Sequence, residues 1–168
     1  PPARIISPCL RRRYPSGSGA TTSRYISKVD QIMRHIYKQE IRWADIDSFG
    51  HVNNATYLTY VQEARVDFHW YAPKARGEKA LLMDMVVART EVDYIEPLKE
   101  PHIFVDVAVW VSRIGNSSFT LSYEISYEGK LYSRASSVQV AVSMENERSR
   151  PLSDEERAFL TKHLELPK

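Results

Sequence analysis

Cysteine is almost missing from this 168-residue chain: the single Cys9 excludes an internal disulfide and any cysteine-based metal site. Long apolar runs are missing as well, and no stretch approaches the ~20 residues that carry a helix across a bilayer. After residue 30 there is no internal repeat and no low-complexity segment. Acids are absent from residues 1–28, which hold six of the 23 basic residues and leave 17 basic against 21 acidic over 29–168. That leader, rich in Arg, Ser, Pro and Gly, reads as a flexible basic arm (residues 1–30) ahead of one domain at 31–168, with Met33 a candidate start. Arg- and Ser-rich, acid-poor sequence is also what an organelle transit peptide looks like. The expected location is therefore cytoplasmic, or an organelle matrix if the leader is such a signal. No aromatic platform accompanies the arm, so no nucleic-acid partner is expected. The rest is ordinary globular composition, 43% hydrophobic and 26% charged, and long enough to bury a core.

What is present is one helical pattern among several strands. "HIYKQEIRWAD" alternates, with Tyr37, Ile41 and Trp43 on the face expected to be core. From 55 to about 71, Tyr57, Tyr60, Val61, Ala64, Phe68 and Tyr71 recur at spacings of three and four, the stripe of a long helix. Asn53 or Asn54 is its expected cap and Pro73 its expected end. The period then switches to two. Val86, Ala88, Val92 and Tyr94 form one apolar face, Val105 to Val111 another, and Phe119 to Tyr127 a third; "LYSRASSVQVAVS" supplies the last strand. The short links "RIGN" and "EGK" suit antiparallel hairpins. "PLSDEERAFL" signals a final helix, with Ser153 and Glu156 in a capping-box pattern. A five-stranded sheet cannot close on itself, and pairing an open edge with a second copy is the simplest remedy, so a homodimer is expected.

Between the first strand and the long helix lies a knot of polar residues, Asp45, Asp47, Ser48, Gly50, His51, Asn53 and Asn54. Singly, these are common turn and cap residues. Together they crowd a helix start, where backbone N–H groups lack partners and the helix dipole is positive. Such a terminus can stabilise an oxygen that becomes negative during a reaction. A nearby carboxylate could act on a carbonyl held there. The chain has no "GxSxG" and no spacing that suggests a nucleophilic triad. A thioester asks for less, because its thiolate leaving group has a conjugate acid of pKa about 8.5 and departs largely unaided. One carboxylate plus backbone donors is adequate equipment for that bond and thin equipment for an amide.

"RWADIDSFGHVNNATYLTYVQEAR", residues 42–65, resembles the signature of the 4-hydroxybenzoyl-CoA thioesterase family of hotdog-fold proteins. It is most similar to the long-chain acyl-CoA thioesterase branch, in which "D…HVNN…Y…Y…EAR" recurs. "VDYIEPL" and "WVSRIGNSSFTLSYEI" are similar to the family's second strand and third-to-fourth hairpin, so the likeness covers roughly residues 34–145.

The resemblance implies an α+β hotdog fold: a curved five-stranded antiparallel sheet wrapped around one long helix, with a short C-terminal helix. It implies hydrolysis of an acyl-CoA without cofactor or metal, by a homodimer or a dimer of dimers with sites at the subunit interface. The family's catalytic aspartate falls on Asp47, as nucleophile through an acyl-enzyme anhydride or as general base on water. The N–H that polarises the thioester carbonyl falls on Asn54. Gly50 lets the loop turn, and His51, Val52, Asn53 and Tyr57 shape the pocket. A related branch carries its carboxylate on the helix, which makes Glu63 the alternative, about 13 Å beyond Asn54 along the axis. Arg113, Lys74, Arg76 and Lys79 are the basic candidates for CoA phosphates, and Tyr60 joins Tyr57 as a candidate lining of an acyl channel. The rival readings are a hotdog hydratase or dehydratase, and a dimer that binds acyl-CoA or a protein without turnover.

Overall fold

The structure, a computed structural model, describes residues 34–165. The basic leader and its transit-peptide reading lie outside the described residues. Strand β1 (His35–Glu40) leads through a 3-10 turn (Trp43–Asp45) and a loop to helix α1 (Thr56–Val66). The helix continues through a π-helical turn (Asp67–Tyr71) into α2 (Ala72–Ala75). Four strands follow, β2 (Met85–Tyr94), β3 (Phe104–Ile114), β4 (Ser118–Tyr127) and β5 (Lys130–Ala141), and then helix α3 (Asp154–Lys162). All pairings are antiparallel, in the order β1-β3-β4-β5-β2, so β1 and β2 are the edges.

The two periods meet in the core. Val105, Val107, Val109 and Val111 of β3 and Phe119, Leu121, Tyr123 and Ile125 of β4 are buried against Tyr57, Tyr60, Val61, Ala64 and Phe68 of the helix. The "RIGN" and "EGK" links are hairpins as expected. Helix α3 starts on the expected capping box: the Ser153 hydroxyl accepts the Glu156 N–H at 3.2 Å, and the Glu156 carboxylate accepts the Ser153 N–H at 2.7 Å. Among the described residues no helix is long and apolar enough to cross a membrane.

Five local expectations are corrected. Tyr71 is 60% exposed and leaves the helix stripe, because the π-helical turn Asp67–Tyr71 breaks the spacing of three and four. Trp43 is 76% exposed and not core, because β1 stops at Glu40 and the 3-10 turn breaks the alternation after the buried Ile41. Pro73 does not end the helix; it sits in the first turn of α2, where its missing N–H costs nothing. The regular helix starts at Thr56, and the side chain of Asn53 reaches the Ala55 N–H at 2.9 Å, one turn ahead of it. In β2 a bulge between Val87 and Arg89 shifts the parity, so Met85 and Val87 face inward with Val92 and Tyr94, while Val86 faces out.

Candidate active site

The polar loop is built on a buried carboxylate that takes no part in lining a cavity. Asp45 is 3% exposed and accepts the Arg42 backbone N–H at 2.8 Å, the Arg42 guanidinium at 2.8 Å and the Tyr60 hydroxyl at 2.7 Å. Burial alone would raise its pKa, but these donors outweigh it and hold the carboxyl below the ordinary range. Burial of the ring and the same contact push the Tyr60 phenol upward. Asp45 thus ties the loop to the helix, the structural duty that suits a carboxylate facing inward.

Beyond it the chain folds back on itself. The Asp47 N–H donates to the His51 carbonyl at 2.8 Å, and the Gly50 N–H returns to the Asp47 carbonyl at 3.0 Å. Gly50 makes that turn at φ +73°, a backbone region that side-chain-bearing residues disfavour. The loop is then fixed at both ends. The Asn53 N–H reaches the Asp45 carbonyl at 2.8 Å, and the Val52 N–H the Leu98 carbonyl at 2.8 Å. The Asp47 side chain stays on the outside of this knot, accepting the Phe49 N–H at 2.8 Å with one oxygen.

Asp47, His51, Val52, Asn54 and Tyr57 line one cavity of about 520 Å³, closed on its far side by Tyr94 to Pro97. The Tyr94 hydroxyl donates to the Asn54 carbonyl at 2.9 Å, and its ring meets Tyr57 edge-on with centroids 5.1 Å apart. Among the described residues the Asn54 N–H has no hydrogen-bond acceptor. Asp47 and a residue with an unpartnered N–H just ahead of the helix therefore line one mostly apolar cavity. Gly50 and Asn53 shape its loop without lining it. Tyr57 is buried at the cavity wall, whereas Tyr60 turns its hydroxyl to Asp45. Glu63 is elsewhere, on a separate groove with Tyr37 and Thr59 beside β1. Lys74, Arg76, Lys79 and Arg113 also lie off this cavity; Arg76 pairs with Glu78 and Lys79 with Glu155. Phe49, Tyr94 and Glu96 were not singled out by the sequence as site residues. A phenylalanine inside so polar a loop, 83% exposed, was the one available signal.

Residues 41–160 match the thioesterase-like superfamily. This chain belongs to that superfamily. Its similarity to the uncharacterized protein YsmA of Bacillus subtilis is 31% identity over 124 residues, 73% of this chain and 82% of YsmA. Among solved structures it is similar to a predicted thioesterase from Bacillus stearothermophilus, with 26% identity, a TM-score of 0.68, and coverage of 81% of this chain and 100% of that one. It is also similar to a thioesterase from Thermus thermophilus complexed with coenzyme A and Zn, with 26% identity, a TM-score of 0.61, and coverage of 74% and 90%. At 17% identity and a TM-score of 0.64, a 1,4-dihydroxy-2-naphthoyl-CoA thioesterase from Synechocystis shares the fold; 77% of this chain and 96% of that one are covered. The superfamily accounts for the antiparallel sheet, the long helix and the terminal helix, the elements of the hotdog thioesterase fold.

Proposed function

We propose that the protein hydrolyses a fatty or other acyl-CoA to the free acid and CoA, as a member of the long-chain acyl-CoA branch of the 4-hydroxybenzoyl-CoA thioesterase family. One observation carries the reading: Asp47 and Asn54, whose N–H has no acceptor among the described residues, line the same cavity. The thioester carbonyl oxygen takes its hydrogen bond from Asn54, where the helix dipole favours the negative charge that develops on it. Asp47 either attacks the carbonyl carbon, giving a mixed anhydride that water then opens, or takes a proton from the attacking water. In both courses the C–S bond breaks and the sulfur leaves as thiolate, for which no general acid is required. His51, Val52 and Tyr57 hold the acyl group beside that pair. Glu63, on its separate groove, takes no part within one chain.

Coenzyme A bound to the similar Thermus thioesterase supports the substrate class. A homodimer follows from the edges. Edge strand β2 is ten residues long and presents Val86, exposed and facing out, on an open edge suited to pairing with a second copy, with the sheet curling about the helix in each.

The test is release of free CoA from a panel of acyl-CoAs, repeated with Asp47→Asn. Turnover is expected to fall at least about a hundredfold, as when a general acid–base group is lost. Unchanged turnover in that variant rejects the assignment. Equal loss in Glu63→Gln alone moves the chemistry to the helix.

A further inference from the structure

A second cavity, of about 210 Å³, lies at the other end of the helix, with Arg65 and His69 on its helix wall and Met85, Val87 and Gln139 on its sheet wall. Its polar groups are out of place for simple core packing. His69 is only 8% exposed, and its Nε2 has no hydrogen-bond partner. Burial, and then the neighbouring Arg65 charge, push the imidazole down to about 3, so the ring is neutral. Gln139, 1% exposed, is fixed by its Nε2 donating to the Ser137 hydroxyl at 2.8 Å, which in turn meets the Tyr123 hydroxyl at 2.8 Å. Arg65, half-buried, lies against that same tyrosine and makes no ion pair among the described residues. An unpartnered buried nitrogen and an unpaired cation at one cavity are both costly until something with oxygen and negative charge arrives.

The two cavities lie toward opposite ends of the helix, each walled in part by edge strand β2. Every residue of β2 from Val86 to Glu91 is exposed, while Met85 and Val92 pack on the core and Tyr94 meets Tyr57 of the helix. Tyr94 lies at the Asp47 end of this strand and Val87 at the His69 end, both on its inner face. From Tyr57 to His69 the helix advances about 18 Å. An extended chain of single bonds gains about 1.2 Å per bond, so that separation corresponds to roughly fifteen bonds.

The geometry points to a far-end subsite: the cavity around Arg65, His69 and Gln139 receives a carboxylate at the distal end of the acyl chain whose thioester sits at Asp47, which makes ω-carboxyacyl-CoA the substrate class. Arg65 supplies the opposite charge, and the His69 ring donates from Nε2. Met85, Val87 and Leu82 enclose the last methylenes. A methyl-ended chain would instead leave the His69 Nε2 without a partner and Arg65, which meets the Tyr123 hydroxyl, without a counter-charge in a drier cavity. This inference rests on the hydrolase reading above.

The test compares the mono-CoA thioester of hexadecanedioic acid with palmitoyl-CoA on the full chain and on Arg65→Gln and His69→Phe. The unsubstituted protein is expected to favour the ω-carboxyl substrate in kcat/KM by about tenfold or more, as for hydrogen bonds to a charged group. The ratio is expected to fall toward one in both variants. Because it is read within each protein, a general loss of folded enzyme cancels. A ratio at or below one overturns the inference, as does a preference that survives both substitutions; palmitoyl-CoA turnover in those cases leaves the Asp47 reading intact. If no acyl-CoA is hydrolysed, calorimetric binding of hexadecanedioate that weakens in Arg65→Gln keeps the subsite and removes the hydrolase. Absence of both overturns both.

Discussion

Asp45 and Asp47 stand two residues apart and face opposite ways, one into the core and the other onto a cavity. The inward carboxylate depends on its donors, and Tyr60 supplies one of them from the helix. Tyr60→Phe keeps the ring and removes that hydrogen bond to a buried charge, and is expected to cost roughly 1–3 kcal/mol, read as a lower urea midpoint at unchanged slope. Spacing alone did not tell the two aspartates apart, and the family resemblance singled out Asp47; the 3-10 turn at Trp43–Asp45, invisible to a period-two pattern, is what turns Asp45 inward to its structural hydrogen bonds. His69 makes a second prediction at this scale. Its folded pKa is about 3, while an unfolded histidine titrates near 6.5, so between those values the unfolded chain holds the extra proton. Stability is therefore expected to fall as pH drops below about 6.5, approaching 1.4 kcal/mol per pH unit from this group. Urea midpoints at neutral and mildly acid pH, with His69→Phe as control, measure it: the variant should lose that part of the slope. The lowered pKa of Asp45 adds to the loss only at more acid pH, below the ordinary carboxylate range, as protonation of the folded state removes its contribution.

Elements were more legible than residues where the local chemistry was self-contained. The capping box of α3 is such a case, and Ser153→Ala is expected to cost about 1 kcal/mol by thermal or chemical unfolding, with the cavity around Asp47 untouched. The helix stripe as far as Phe68 and the inward faces of β3 and β4 were equally plain, because burial on one side imposes a strict period. The helix end and β2 were not. Proline normally stops a helix, but the π turn before Pro73 delivers it to a position that needs no N–H. The bulge after Val87 moves one residue out of register, and no composition marks it. The far wall of the cavity was hidden for the same reason: Tyr94 to Pro97 come from the end of that strand, forty positions from the loop they face, and only the tertiary fold brings them there.

Across the whole molecule, the asymmetry between the two edges decides how copies would meet. β1 is short and half-buried in alternation, while β2 is longer and open, with apolar residues on both sides of its bulge. Val86, exposed and facing away from both cavities, is the place to probe this. Val86→Lys blunts an edge strand with charge, and is expected to shift the protein toward monomer in sedimentation at micromolar concentration. A dimer that persists unchanged at that concentration would place the contact elsewhere. The residues from 29 onward carry 17 basic and 21 acidic side chains, a mild net negative charge that does not by itself prevent such self-association.

The hydrogen bond from Tyr94 to the Asn54 carbonyl joins the end of an edge strand to the first turn of the helix. Edge strands tolerate sequence drift, since half their surroundings are solvent. A replacement at position 94 would therefore retune which acyl groups are welcomed and how firmly the helix start is held, while the aspartate, the loop and the core stay as they are. The outline of the cavity and the hold on the helix start are thus joined at a single side chain, and a change there alters both at once.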